Sequence, residues 1–264
     1  MSVLYFDRLI EKSATEKLSN IVLALDLMID NREKLLRTAL EILESVEPFV
    51  CAVKLNRQVT LGLGLQSGVK RIVRLAHKLG LPTIMDAKIN DVGHTNRAIA
   101  EHYFAVGFDA IISSPFVGWE EGLEPVFELA EKLGRGVLLL VFMSHKASIE
   151  GYGQTVVDSK TGITRFQYEI FTERALEWGA DGAIVGATFP EKVAAIYNLL
   201  GDRVPIYSPG VGVQGGDLRT AMEAGSKYVI IGRSIFSAEK PADAAKKFQE
   251  EVGRIFPLKF PSRR

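Results

Sequence analysis

The stretch Pro82-Thr83-Ile84-Met85-Asp86-Ala87-Lys88-Ile89-Asn90-Asp91-Val92-Gly93-His94-Thr95-Asn96 reads as a short apolar strand, then three alternating charges, then the start of a helix. Side chains alternate faces along an extended segment, so Asp86 and Lys88 are expected to project to one side, with Asp91 following in the loop. Two carboxylates then bracket one ammonium. Isolated charges at a strand end cost several kcal/mol to desolvate unless they are paired, so three of them together point to a pre-set electrostatic site. A structural ion pair capping a strand is the alternative at this point.

Outward from this stretch the same alternation repeats. Ile21 to Asp26 is a continuous apolar run ending in an acid, as expected of a buried parallel strand. A helical pattern follows from about Asn31 to Val46. The later strands are expected at 50 to 54, 82 to 86, 109 to 112, 136 to 142, 182 to 185, 204 to 208 and 228 to 231. Helices are expected between and after them at about 67 to 79, 95 to 106, 120 to 133, 165 to 178, 190 to 200, 217 to 224 and 241 to 256. Eight strand-helix units in roughly 235 residues have the rhythm of an α/β fold of the (β/α)8 TIM-barrel class. A doubly wound sheet would more often carry a glycine fingerprint after its first strand, and Leu25-Asp26-Leu27-Met28 has no glycine. No linker interrupts the pattern. The expectation is a single domain: a helical extension over 1–20 packed outside the main unit, the barrel over 21–256, and a tail over 257–264.

Composition narrows the function. Hydrophobic residues make up 47% of the 264-residue chain, and Lys plus Arg equals Asp plus Glu at 32 each. No net positive field is available for nucleic acid or an anionic membrane, so an anion must be bound locally. Cys51 is the only cysteine and lies in an apolar run, where a buried packing thiol is expected. The first residues lack the apolar core of a signal peptide, and no apolar run reaches transmembrane length, so the cytoplasm is the expected location.

In a barrel of this kind the active site lies at the C-terminal ends of the strands. Asp26, Lys54, Asp86 with Lys88, Ser144 and the turn Ser208-Pro209-Gly210 all fall there and are expected to converge. Ser208 to Asp217 carries four glycines in ten residues before a helix start. Glycines let backbone N–H groups close on an anion. Gly232-Arg233 after the eighth strand adds a guanidinium suited to phosphate, and the loops after strands seven and eight are where many barrels hold one. Two tight turns with a surface arginine are the plainer alternative. The long segment 143 to 162 is either a lid or, in its distal part from 150, an excursion without a role. Among the histidines, His77 is expected to be solvated and His102 packed. No two histidines have metal-ligand spacing, so no metal site is expected.

Taken together and in order, Leu23 to Asp26, Lys54, Asp86-Ala-Lys-Ile-Asn-Asp91, Met143-Ser144-His145, Ser208 to Asp217 and Ile231 to Ile235 resemble the orotidine 5′-phosphate decarboxylases in their compact archaeal and bacterial form. The resemblance runs from about residue 21 to 256. It implies conversion of orotidine 5′-monophosphate to uridine 5′-monophosphate without metal or cofactor, on a homodimer. By position, Lys88 would protonate C6 and Asp86 would face the departing carboxylate. Lys54 and Asp26 would bind the ribose hydroxyls, and Asp91 with Thr95 would reach the neighbouring subunit's site. Gln214 and Arg233 would hold the phosphate with Gly232 and the backbone from Gly212 to Gly215. Pro209, Gly210 and Val211 belong to the same binding loop, and Ser144 would contact the pyrimidine.

The chain departs from the family where Lys146-Ala147 stands in place of a common Pro-Gly, and where 150 to 162 is longer than in the most compact members. A sugar-phosphate lyase of the same superfamily shares Asp-x-Lys-x-x-Asp but uses Mg²⁺, with a glutamate in place of Lys54, and a lysine there repels a divalent cation. A non-catalytic nucleotide-phosphate binding protein would show a broken triplet, which here is intact.

Overall fold

Apolar runs without alternation need cover on both faces, and a closed sheet inside a ring of helices supplies it. The computed structural model describes residues 5–255; the expected tail and the end of the last helix lie outside them. Eight parallel strands close in the order β1 (Ile21–Ala24), β2 (Ala52–Asn56), β3 (Thr83–Ile89), β4 (Ala110–Ser113), β5 (Gly136–Phe142), β8 (Gly182–Val185), β9 (Ile206–Pro209) and β10 (Ser226–Ile231). The seam is the register Ile21↔Val229 between β1 and β10. The remaining two strands, β6 (Thr155–Val157) and β7 (Thr164–Phe166), form an antiparallel hairpin outside the barrel. Part of the segment expected as an irregular excursion is therefore paired. Its base is anchored by Tyr152, buried against Phe116, Phe142 and Phe171.

Helices α2 (Arg32–Val46), α5 (Gly93–Val106), α7 (Gln167–Glu177), α8 (Pro190–Leu200), α9 (Leu218–Glu223) and α11 (Pro241–Ile255) lie close to their expected spans. Three departures have local causes. After β2 the chain turns at once into α3 (Arg57–Leu63), because the Asn56 side chain accepts the Val59 N–H and starts a helix ten residues early; α4 (Lys70–Lys78) follows across a wide turn at Gly64, where φ is +72°. The helix expected from 120 begins only at α6 (Glu124–Leu133), since Glu121 sits at φ +54°. Helix α7 starts after residue 166 because 164 to 166 are spent on the hairpin.

Helix α1 (Phe6–Lys17) is the expected extra helix packed against the outside of the barrel. It lies across the N-terminal ends of the strands: Phe6 and Ile10 are fully buried, Glu11 pairs with Lys227 at 2.7 Å, and Gly136 leaves no room for a Cβ against the Phe6 ring. At the same end the buried Asp109 accepts the Thr83 N–H (2.8 Å) and hydroxyl (2.9 Å), Arg135 (2.5 Å) and His77 Nε2 (2.8 Å). His77 is thus bonded rather than merely solvated, because a carboxylate sealed at the start of β4 must be satisfied. His102, expected to be packed, is exposed. No helix among the described residues is long and apolar enough to cross a membrane.

Removing a fully buried phenylalanine leaves a cavity, so Phe6→Ala should lower the unfolding free energy by about 3–5 kcal/mol in a urea titration. Ligand affinity at the opposite mouth should stay within about twofold. Unchanged stability would show that α1 does not seal the barrel.

Candidate active site

Three neighbouring strands deliver the charged cluster. Their register sets Ala24 opposite Lys54 and Asn56 opposite Asp86, so the ends of β1, β2 and β3 lie side by side. Asp86 divides its two oxygens between two lysines: Oδ2 accepts from Lys54 Nζ at 2.9 Å and Oδ1 from Lys88 Nζ at 2.5 Å. Lys54 also reaches both oxygens of Asp26, each at 3.4 Å.

The pairing of Asp86 with Lys88 does not arise from strand alternation as the sequence pattern suggested. Lys88 has φ +46°, and between Met85↔Ile111 and Ile89↔Ser113 four residue steps on β3 stand against two on β4. The strand bulges away from its neighbour and holds a non-glycine residue in the left-handed region. That conformation costs of order 1–3 kcal/mol and persists only where its surroundings enforce it.

Lys54 and Asp86 are buried, 4% and 9% exposed, which decides their electrostatics. Burial pushes the Asp86 carboxyl up, but the Lys54 and Lys88 ammonium groups outweigh it and hold the carboxyl at about 2. Burial likewise opposes the Lys54 charge, yet Asp86 and Asp26 raise its pKa above the ordinary lysine value. At neutral pH both groups are charged.

These residues open onto a cavity of about 410 Å³ at the C-terminal ends of the strands. Its apolar floor includes Ala24, Ile112, Leu140, Ile184 and Ile230. The structure brings together Asp26, Lys54, Asp86, Lys88, Ser144, Pro209, Gly210, Val211, Gln214, Gly232 and Arg233 around it. The glycine loop is sharply folded, with φ +98° at Gly210, +80° at Gly212 and +93° at Gly215. Two of the N–H groups expected to face an anion are turned inward: Gly212 donates to the Gly216 carbonyl and Gly215 to that of Gly212. The loop is tied to the short helix α10 (Arg233–Phe236) by the Val213 N–H, which donates to Ser234 Oγ at 3.2 Å. Ser144 Oγ donates to Gln214 Oε1 at 2.9 Å, joining the loop after β5 to the loop after β9.

Asp91 and Thr95 stand apart from this cavity. Asp91 is exposed, and its Oδ1 accepts only the adjacent Val92 N–H, at 2.7 Å, among the described residues. It makes no hydrogen bond or ion pair with Lys54 or Lys88 of its own chain, although Asp91 and Lys88 both line a separate hollow beside the cavity.

Sequence reasoning missed several supporting residues. Thr188 Oγ1 donates to the Ser144 carbonyl at 2.7 Å, and Gln58 Nε2 to the Asp26 carbonyl at 3.0 Å. Asn96, fully buried, binds both backbone groups of Asp91. The local signals were present, as Asn96 is an Asx residue in the first turn of a helix and Thr188 precedes a helix-starting Phe189-Pro190. The two carboxylates that could face a cation, Asp26 and Asp86, both turn to the Lys54 ammonium. Among the described residues no cluster of His, Cys, Asp and Glu could hold a metal ion.

Comparison with known proteins finds one family along most of the chain. The family model described as Orotidine 5′-phosphate decarboxylase / HUMPS family covers residues 19–248. The chain is 37% identical to the orotidine 5′-phosphate decarboxylase of Methanosarcina mazei over 90% of its own length and 96% of the relative's. Among solved structures, the OMP decarboxylase of Leishmania donovani superposes with a TM-score of 0.81 at 25% identity, covering 96% of this chain and 99% of that one. The orotidine 5′-monophosphate decarboxylase of Methanocaldococcus jannaschii, complexed with the inhibitor BMP, superposes with a TM-score of 0.71 at 26% identity, covering 88% and 97%. With a barrel closed in the same way and matches that run nearly end to end, the chain belongs to the Orotidine 5′-phosphate decarboxylase / HUMPS family.

Proposed function

We propose that this protein decarboxylates orotidine 5′-monophosphate to uridine 5′-monophosphate and carbon dioxide, the last step of de novo UMP synthesis, using neither metal nor organic cofactor. The observation that carries the reading is the Asp86 carboxylate held between Lys54 and Lys88 in the cavity that Gln214 and Arg233 also line. The relatives named as orotidine 5′-phosphate decarboxylases support it.

In this reading Gln214, Arg233 and Gly232 hold the phosphate at the end of the cavity lined by Pro209, Gly210 and Val211, while Gly212 and Gly215, whose N–H groups are spent within the loop, shape the turn. Ser144 contacts the pyrimidine, while Lys54 and Asp26 take the ribose hydroxyls. The substrate carboxylate then lies against Asp86. As the bond from C6 to the carboxylate breaks, its electron pair stays on C6 and carbon dioxide leaves. The carbon takes a proton from the Lys88 ammonium, and Lys88 regains one from water, so one proton is consumed per turnover. A fixed ammonium stabilises the carbanion-like transition state more than the neutral ring of the ground state, which is where acceleration comes from.

The sugar-phosphate branch of the family is disfavoured by Lys54, whose ammonium lies between Asp26 and Asp86 and supplies the positive charge that a divalent cation would bring to two carboxylates.

The enzyme acts as a homodimer in which Asp91 and Thr95 complete the neighbouring subunit's site. Supporting this, the Asp91 carboxylate makes no hydrogen bond or ion pair with its own chain's lysines, and the apolar Val92 beside it is 54% exposed. Cytoplasmic location fits a chain whose one cysteine is buried and unpaired.

Lys88→Ala should lower turnover by at least about 10³-fold while leaving affinity for uridine 5′-monophosphate within roughly tenfold, since the phosphate loops are separate. Comparable loss of nucleotide binding would refute that division of labour. Mixing inactive Lys88→Ala and Asp91→Ala chains under conditions that exchange subunits should restore about a quarter of wild-type activity. Half of randomly reassorted dimers are mixed, and each mixed dimer holds one intact site. Absence of recovery would place Asp91 in its own subunit's chemistry.

A further inference from the structure

Asn96 lies in the first turn of α5, fully buried, and every polar valence of its amide that points into the protein is used. Its Oδ1 accepts the Asp91 N–H at 2.9 Å. Its Nδ2 donates to the Asp91 carbonyl at 2.5 Å and to the Gly122 carbonyl at 2.9 Å. A primary amide has two N–H donors and both are spent here; the backbone N–H opposite the other end requires the oxygen there. One side chain therefore grips both backbone groups of Asp91 and ties them to the connection between β4 and α6.

That connection is a firm anchor. Glu121 is held at φ +54°, and a Cβ on Gly93 would meet the Glu121 backbone at 2.9 Å, so loop and connection lie backbone to backbone. The Asp91 side chain itself has no such restraint beyond the adjacent Val92 N–H. An exposed carboxylate on a loop gains a defined position only from its backbone, and Asn96 supplies it.

We propose that Asn96 is a positioning residue that fixes the Asp91 loop so that the carboxylate is presented to the neighbouring subunit's site. This rests on the reading of Asp91 as a group shared across the dimer. A misplacement of about 1 Å in a group of this kind costs of order 10²-fold in rate, whereas substrate binding through the phosphate loops is untouched. Asn96→Ala is then expected to lower kcat by about 10- to 100-fold with KM within about threefold.

Subunit complementation separates positioning from general damage to the fold. Asn96→Ala chains mixed with Lys88→Ala chains should recover about a quarter of wild-type activity, because the Lys88→Ala chain brings a well-held Asp91 to the intact Lys88 of its partner. Asn96→Ala chains mixed with Asp91→Ala chains should recover nothing beyond their own residual rate, since both present a faulty Asp91. If Asn96→Ala yields no folded protein, Asn96→Ser, which keeps one hydroxyl for the loop, replaces it in both mixtures with the same expected grouping. Recovery with Asp91→Ala, or an Asn96 variant with unchanged kcat, overturns the inference while leaving the shared role of Asp91 intact. If Lys88→Ala and Asp91→Ala themselves fail to complement, the reading of Asp91 falls and the inference with it.

Discussion

Asp86, itself nearly buried, keeps a full negative charge because each of its oxygens has its own ammonium partner, and most of the site's construction follows from keeping it there. Removing either lysine would leave one Asp86 oxygen without its ammonium and two carboxylates sharing the other, which is costlier than losing a surface pair. The backbone bears part of the expense. Lys88 adopts a left-handed conformation at a bulge in β3, and that irregularity carries its ammonium back onto Asp86. Strain at this place is consistent with a site whose charges must be fixed before the substrate arrives, so that little reorganisation remains for the chemical step.

The barrel divides its labour between its two mouths. At the N-terminal end α1, the Phe6 contact with Gly136 and the Asp109 cluster seal the core and serve stability. At the C-terminal end the strands finish in charges and glycines, and the connections are tied to one another by polar bonds such as Thr188 to Ser144 and Ser144 to Gln214. The loops after β9 and β10, to which the proposed function gives the phosphate, and the charges on the β1 to β3 side share one cavity. In that reading, binding energy gathered at the phosphate would hold the reacting carbon against Asp86 and Lys88.

Much of this was legible in the chain. Continuous apolar runs ending in Asp26, Lys54 and Asp86 marked buried parallel strands whose last residues enter a common site, and the eightfold repeat marked closure. Legibility failed where a local cap, a backbone turn or a strand pairing overrode the helical pattern. Asn56 started a helix early, Glu121 delayed one, and residues 164 to 166 left a helical pattern to pair with 155 to 157. It failed also where partners are distant in sequence. His77 gave no sign of Asp109, and Asn96 read as an ordinary first-turn residue until its bonds to Asp91 and Gly122 were seen. Of the charged triplet only Asp86 and Lys88 pair, and not by alternation alone, which does not survive the bulge at Lys88; Asp91 does not bracket that ammonium in its own chain.

The most direct test of the account is the ultraviolet absorbance of orotidine 5′-monophosphate incubated with purified protein after exhaustive treatment with a metal chelator. A fall in absorbance accompanied by stoichiometric uridine 5′-monophosphate is the predicted result. Unchanged absorbance, with activity on a ketose phosphate appearing once Mg²⁺ is restored, would contradict it.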